Sequence, residues 1–137
     1  MSSLSASKLT EAMSGLDRIS SHAVAGAEAH PQKESFPPSV ELTPKDVPRG
    51  ARVTDPAETW DHLTWRALDF RADSPHAFSF QFDSTYDAVS GTARFAATAH
   101  GDLDGDGSWS TFQIQGERPA GSSARVLPGL LVTRELE

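Results

Sequence analysis

Three carboxylates at every second position, Asp102, Asp104 and Asp106, closed by Gly107, are the residues of this 137-residue chain whose type and spacing best suit chemistry. Alternating acids can turn toward one point, and a glycine permits the sharp bend that closes such a loop. The chemistry would be the capture of a hard cation. Calcium takes about six to eight oxygens, and three carboxylates with the main-chain carbonyl of Ser108 and a water come close to that number. The bidentate acid of an EF-hand is missing: the twelfth position from Asp102 is Gln113, and the flanking segments read as strands. The same residues also suit a solvated hairpin turn, because Asp and Gly tolerate left-handed backbone and hydrogen-bond their own turn. Two readings therefore stand, a structural calcium held by Asp102, Asp104, Asp106 and Ser108, and a plain turn.

Other chemistry finds little footing. His22, His30, His62, His76 and His100 do not pair at metal-ligand spacings, and the nucleophile elbow, the zinc-protease helix and the phosphate loop are all absent. A hydrolase would rest on Asp61, His62 and a distant serine, a combination that chance supplies in a serine-rich chain. No catalytic or cofactor-binding residue is assigned, and the chain is expected not to be an enzyme. Trp60 and Trp65 are a conceivable aromatic platform for a sugar or peptide, with a core role favoured in so small a domain. Twelve basic residues scattered among nineteen acidic ones, a formal charge of −7, argue against nucleic acid. With no cysteine, disulfides and thiolate chemistry are excluded.

The elements that would carry the loop follow from periodicity. Leu9, Ala12, Met13, Leu16, Ile19, Ala23 and Ala27 recur at threes and fours, which predicts an amphipathic helix over residues 9–29, ended by His30-Pro31. Residues 1–8 read as a flexible lead-in and 31–54, with five prolines, as an extended surface connection. Asp55-Pro56-Ala57-Glu58 has the order of a helix start and predicts a second helix of about three turns. After Pro75 the period falls to two. Phe78, Phe80 and Phe82 alternate with polar residues, Tyr86 to Gly91 makes a turn, and Ala93 to Ala99, Trp109 to Gln115 and Leu130 to Thr133 give three further strands. The expected fold is a single α+β domain over 1–137, a helix laid on an antiparallel meander of about four strands. No stretch of 18 apolar residues occurs, so the sequence contains no candidate spanning helix.

The stretch Phe78-Ser-Phe-Gln-Phe-Asp83, the alanine-rich strand through Ala99, the run Gly101-Asp-Leu-Asp-Gly-Asp-Gly107, Ser110-Thr-Phe112 and Arg134-Glu-Leu-Glu137 resemble the C-terminal part of type IV pilin-like proteins of the deltaproteobacterial, myxobacterial kind. Val53-Thr-Asp-Pro-Ala57 with Trp60 and Trp65 is similar to their middle region, and Ser7 to Ala27 to the polar half of the long pilin helix. The resemblance implies a pilin-like roll and a structural subunit of a pilus or related filament, for motility, adhesion or secretion. It implies an extracellular, cell-surface location reached through the inner membrane and periplasm. Pilins begin with a processed apolar helix that joins subunits in the filament core, and this sequence lacks it, so the expectation is a soluble headgroup that is monomeric when isolated. The alternative is a secreted or tip-located binding module, an adhesin with an aromatic or loop ligand surface.

Overall fold

The computed structural model describes residues 3–72, 74–102, 109–129 and 131–134. Helix α1, Ser3–Ala27, opens the chain, and strand β1, Val40–Thr43, follows a 3-10 turn at Gln32–Glu34. A second 3-10 turn, Ala57–Trp60, and the short helix α2, Leu63–Ala67, lead to β2 (Ser79–Asp87), β3 (Thr92–Gly101), β4 (Ser110–Arg118), β5 (Arg125–Val126) and β6 (Leu131–Arg134). The six strands form one sheet in the order β1-β2-β3-β4, with β5 and β6 both on the outer edge of β4, and every strand pair is antiparallel. The α+β class expected from the periodicity is the class observed.

Register sorts the sheet into two chemically distinct faces. Phe80 lies opposite Ala99 and Phe112 follows across β4, while Phe82 lines up with Ala97 and Ile114, so rings and small residues alternate on one face. The helix covers that face with Ala12, Leu16, Ile19, Ala23 and Ala27, all nearly inaccessible and spaced by threes and fours. Alanines on β3 let the helix approach while the phenylalanines of β2 and β4 fill the flanks. A second aromatic group, Trp60, Trp65 and Phe70, closes the end near α2, with ring centroids 5.3 to 5.5 Å apart. The other face is polar. Gln113 donates to Thr98 across the strands at 3.0 Å, and Gln115 donates to Gln113 at 2.8 Å.

The structure departs from the sequence expectation in four places. Helix α1 begins at Ser3 and Lys8 is buried, where a flexible lead-in was expected. The proline-rich connection contains β1, because Val40 can bury against the sheet while Val40 and Thr43 pair with Phe82 and Phe80 across an irregularity in register. The three-turn helix from Asp55 is instead a 3-10 turn and a separate short helix. Asp55 does not cap. Its carboxylate accepts the Trp60 indole N–H at 3.0 Å, and α2 starts afresh at His62, whose Nδ1 accepts the Thr64 N–H at 3.0 Å. The fourth departure is the pair of short strands on β4, where only one was expected; Leu127 N–H donates to Gln115 at 2.8 Å between them.

The turn expected from Tyr86 to Gly91 joins β2 to β3. Its Asp87 carboxylate accepts from the Val89 and Ser90 N–H groups at 2.9 and 3.4 Å, which holds the carboxyl below its ordinary value. Gly91 at φ 73° supplies the left-handed residue that closes the turn.

Candidate functional site

Asp102, the first acid of the proposed loop, stands one residue past the end of β3 and is clamped there by main-chain bonds. Its carbonyl accepts the Gly50 N–H at 2.7 Å and its own N–H donates to Pro48 at 3.4 Å, making a parallel bridge to Arg49. The carboxylate is fully buried, with the Arg49 Nε 3.9 Å away. A second cation approaches from the helix: Lys8, only 2% exposed, donates from Nζ to the Gly50 carbonyl at 2.8 Å. Burying an ammonium is costly unless it is hydrogen-bonded and offset by negative charge, and the neighbourhood of Asp102 provides both. Lys8 was legible only as a polar position on the helix wheel. Nothing in its spacing marks it as buried, because the partner that receives it lies 42 residues away.

The remaining residues assigned to the metal, Asp104, Asp106 and Ser108, lie outside the described residues. Among the described residues no group of three or more histidines, cysteines or acids is arranged to hold a metal ion. What the described part supplies is an anchored entry to the loop, with one inward-turned carboxylate already facing a guanidinium.

A second polar cluster was not foreseen. His76 is 4% exposed and both ring nitrogens are engaged: Nδ1 donates to the Phe78 carbonyl at 2.7 Å and Nε2 lies 2.6 Å from the Asp55 carboxylate. The main chain at His76 pairs with Val53 in both directions, at 2.8 and 2.9 Å. Glu11, reaching over from α1, accepts the Ala77 N–H at 2.6 Å and the Arg52 Nε at 3.1 Å. An Asp–His pair suggests acid–base chemistry only if the far nitrogen can reach a substrate proton. Here the Phe78 carbonyl occupies that nitrogen, so the pair is spent on joining the 53–55 segment to the start of β2. Only the Pro56 start signal beside Asp55 hinted that this acid mattered.

Comparison with protein-family models, with curated proteins and with solved structures gives no match. Asp61 and His62, the pair on which a hydrolase would have rested, are separated in role: His62 caps α2. Trp60 and Trp65, 3% and 0% exposed, are core residues and offer no ligand platform. Their indole N–H groups are taken by Asp55 and by the Thr43 hydroxyl, each at 3.0 Å. His22 meets the Leu68 carbonyl, and His100 bonds the Thr111 hydroxyl at 2.8 Å while its ring lies 5.2 Å from that of Trp109.

Proposed function

We propose that the chain is the headgroup of a type IV pilin-like filament subunit, a structural protein of the cell surface and not an enzyme. The observation that carries the reading is the N-terminal helix. A 25-residue helix lays a stripe of small and apolar residues, Ala12 to Ala27, on one face of an antiparallel meander, and the opposite face of the sheet is largely polar. That is the arrangement a filament headgroup needs, since the helix would lead inward toward other subunits while the polar face meets solvent. Pilin subunits would be the partners, held through an apolar helix preceding α1. The headgroup alone, at −7 formal charge, would repel its copies and remain monomeric at tens of micromolar. Antibodies raised to the chain test the assignment on cells that express it. Labelling along surface filaments is expected, and label found only on protein shed into the medium would overturn the reading in favour of a free binding module.

The Asp loop fits this role as a brace between β3 and β4. Calcium, when bound, would cross-link Asp102, Asp104, Asp106 and the Ser108 carbonyl, neutralising acids that otherwise repel. At a free calcium concentration of about ten times the dissociation constant, folded-state binding stabilises by roughly 1.4 kcal/mol. The melting temperature should rise by a few degrees, chelator should reverse the rise, and Asp104→Ala should abolish it. Identical melting curves for the wild type in calcium and in chelator would leave the plain turn.

A further inference from the structure

Beside Asp102 the surface opens into a cavity of about 350 Å³ lined by Lys45, Asp46, Val47, Arg49 and Trp109. We propose that this recess binds an acidic sugar, a pyranose ring carrying a carboxylate, of the hexuronic type. The proposal stands on the cavity and does not rest on the filament reading.

Each wall constrains the occupant. Of the three tryptophans Trp109 alone is substantially open, 37% exposed, and its ring has the His100 ring beside it at 5.2 Å between centroids. An indole at a cavity wall offers a flat apolar face, which suits the C–H face of a pyranose better than it suits a flexible chain. Arg49 keeps 71% of its side chain exposed, and at 3.9 Å its Nε lies beyond hydrogen-bond reach of the Asp102 carboxylate. Its guanidinium fork therefore remains able to take an incoming carboxylate in bidentate fashion, with Lys45 adding a second positive charge. The recess thus gathers two cations beside one lining carboxylate, Asp46, with the Asp102 carboxylate 3.9 Å behind Arg49, so an anion is favoured at the exposed Arg49 fork and not by the net charge of the walls.

Asp46 decides between anions. An acidic side chain would bring a carboxylate to Arg49 and Lys45 but no hydroxyl donor to Asp46, whereas a sugar acid brings the carboxylate together with hydroxyls that donate to it. A neutral hexose satisfies Trp109 and Asp46 and leaves the cations without a partner. Only a ligand with an apolar face, hydroxyl donors and a carboxylate on one small frame serves all three walls, and the cavity falls in the usual size range of small-ligand sites, about 300–1,000 Å³.

The test is a titration of the isotopically labelled full chain with sodium galacturonate, followed at the indole N–H resonance of Trp109, with chelator present throughout so that the Asp loop does not contribute. A saturable shift is expected with a dissociation constant of about 1–10 mM, ordinary for one monosaccharide. Methyl glucoside should bind at least tenfold more weakly, raised salt should weaken galacturonate binding, and Arg49→Gln should weaken it about tenfold with an unchanged circular dichroism spectrum. Trp109→Phe, which keeps a ring, should bind more tightly than Trp109→Ala. Equal response to the neutral sugar, or no shift of Trp109 at 50-fold higher ligand than protein and up to saturating millimolar concentrations, would overturn the proposal. Tighter binding of a tri-glutamate peptide than of galacturonate would overturn it too, assigning the recess to an acidic protein partner.

Discussion

Phe80→Ala is expected to destabilise the domain by about 3–5 kcal/mol, a large part of what a domain of this size possesses. Phe80 is 2% exposed near the start of β2, its ring 5.1 Å from Phe70 and 6.4 Å from Trp60 by centroids. The helix is built around it. A Cβ added at Gly15 would stand 2.6 Å from the Phe80 Cζ and 2.7 Å from its Cε1, closer than carbon atoms approach, so glycine is what lets α1 sit down on the ring. Gly15→Ala, which in an ordinary helix gains about 0.5–1 kcal/mol, should therefore destabilise the wild type and turn neutral or favourable once Phe80 is alanine. Urea denaturation of the four proteins of this cycle should give a coupling of more than about 1 kcal/mol. Additive effects would mean that helix and ring do not share this space. The neighbouring Ser79→Ala is the control. Ser79 is buried on the opposite face, and its hydroxyl finds no hydrogen-bond partner among the described residues, so its loss should cost little or nothing.

The contrast between Phe80 and Ser79 shows where sequence reasoning works. Strict alternation in Phe78 to Phe82 placed the rings on one face, because a pleated strand leaves no other option, and register with Ala97 and Ala99 agrees. Burial of the polar alternates is another matter. Ser79 and Thr98 are buried although they lie on the polar face, which strand periodicity alone does not predict. The helix stripe was legible from spacing at Ala12, Leu16 and Ile19, but Leu9 is 43% exposed while Lys8 beside it is buried. A helical wheel assumes one flat contact surface, and near its start α1 instead meets the Pro48 to Gly50 segment, whose Gly50 carbonyl draws in the ammonium. β1 was hidden for a related reason. Prolines at 37, 38, 44 and 48 bracket Val40 to Thr43 and suppress any strand pattern, yet an edge strand tolerates proline at its ends. At the candidate site the sequence supplied the acids of the loop. It could not supply Arg49 and Lys8 near Asp102, nor the Asp55–His76 pair, since each contact joins segments remote in the chain and depends on the finished fold.

Arg118 is one more such residue, and its removal should be the second most damaging change considered. Helix α1 carries no basic residue in its last turn, so the carbonyls at its C-terminus and the negative end of its dipole must be served from elsewhere. Arg118, at the end of β4, does this. The two hydrogens of its Nη1 are shared among the Ala27 carbonyl at 3.1 Å, the His30 carbonyl at 3.0 Å and the Ser35 hydroxyl at 3.2 Å. Gln32 completes the tie by donating to the carbonyls of Arg118 at 2.7 Å and Gly91 at 3.0 Å, so the exit from the helix is bound to β4 and to the turn that leads into β3. Arg118→Met keeps the stem but removes every donor, and is expected to cost about 2 kcal/mol, since hydrogen bonds from a charged group contribute about 1.5–3 kcal/mol. For a chain of this length the corresponding fall in melting temperature is about 6–10 °C. Arg118→Lys retains the charge with only a point donor and should recover about half of the loss. Hydrogen exchange separates this mechanism from a general weakening. In Arg118→Met the amides of Val24 to Ala27 should exchange faster even under conditions where the centre of β3 stays protected, because the end of the helix is released before the sheet opens. Uniform acceleration across α1 and β3 would indicate that Arg118 contributes only to global stability, and a variant within about 0.5 kcal/mol of the wild type would show that water satisfies these carbonyls as well as the guanidinium does.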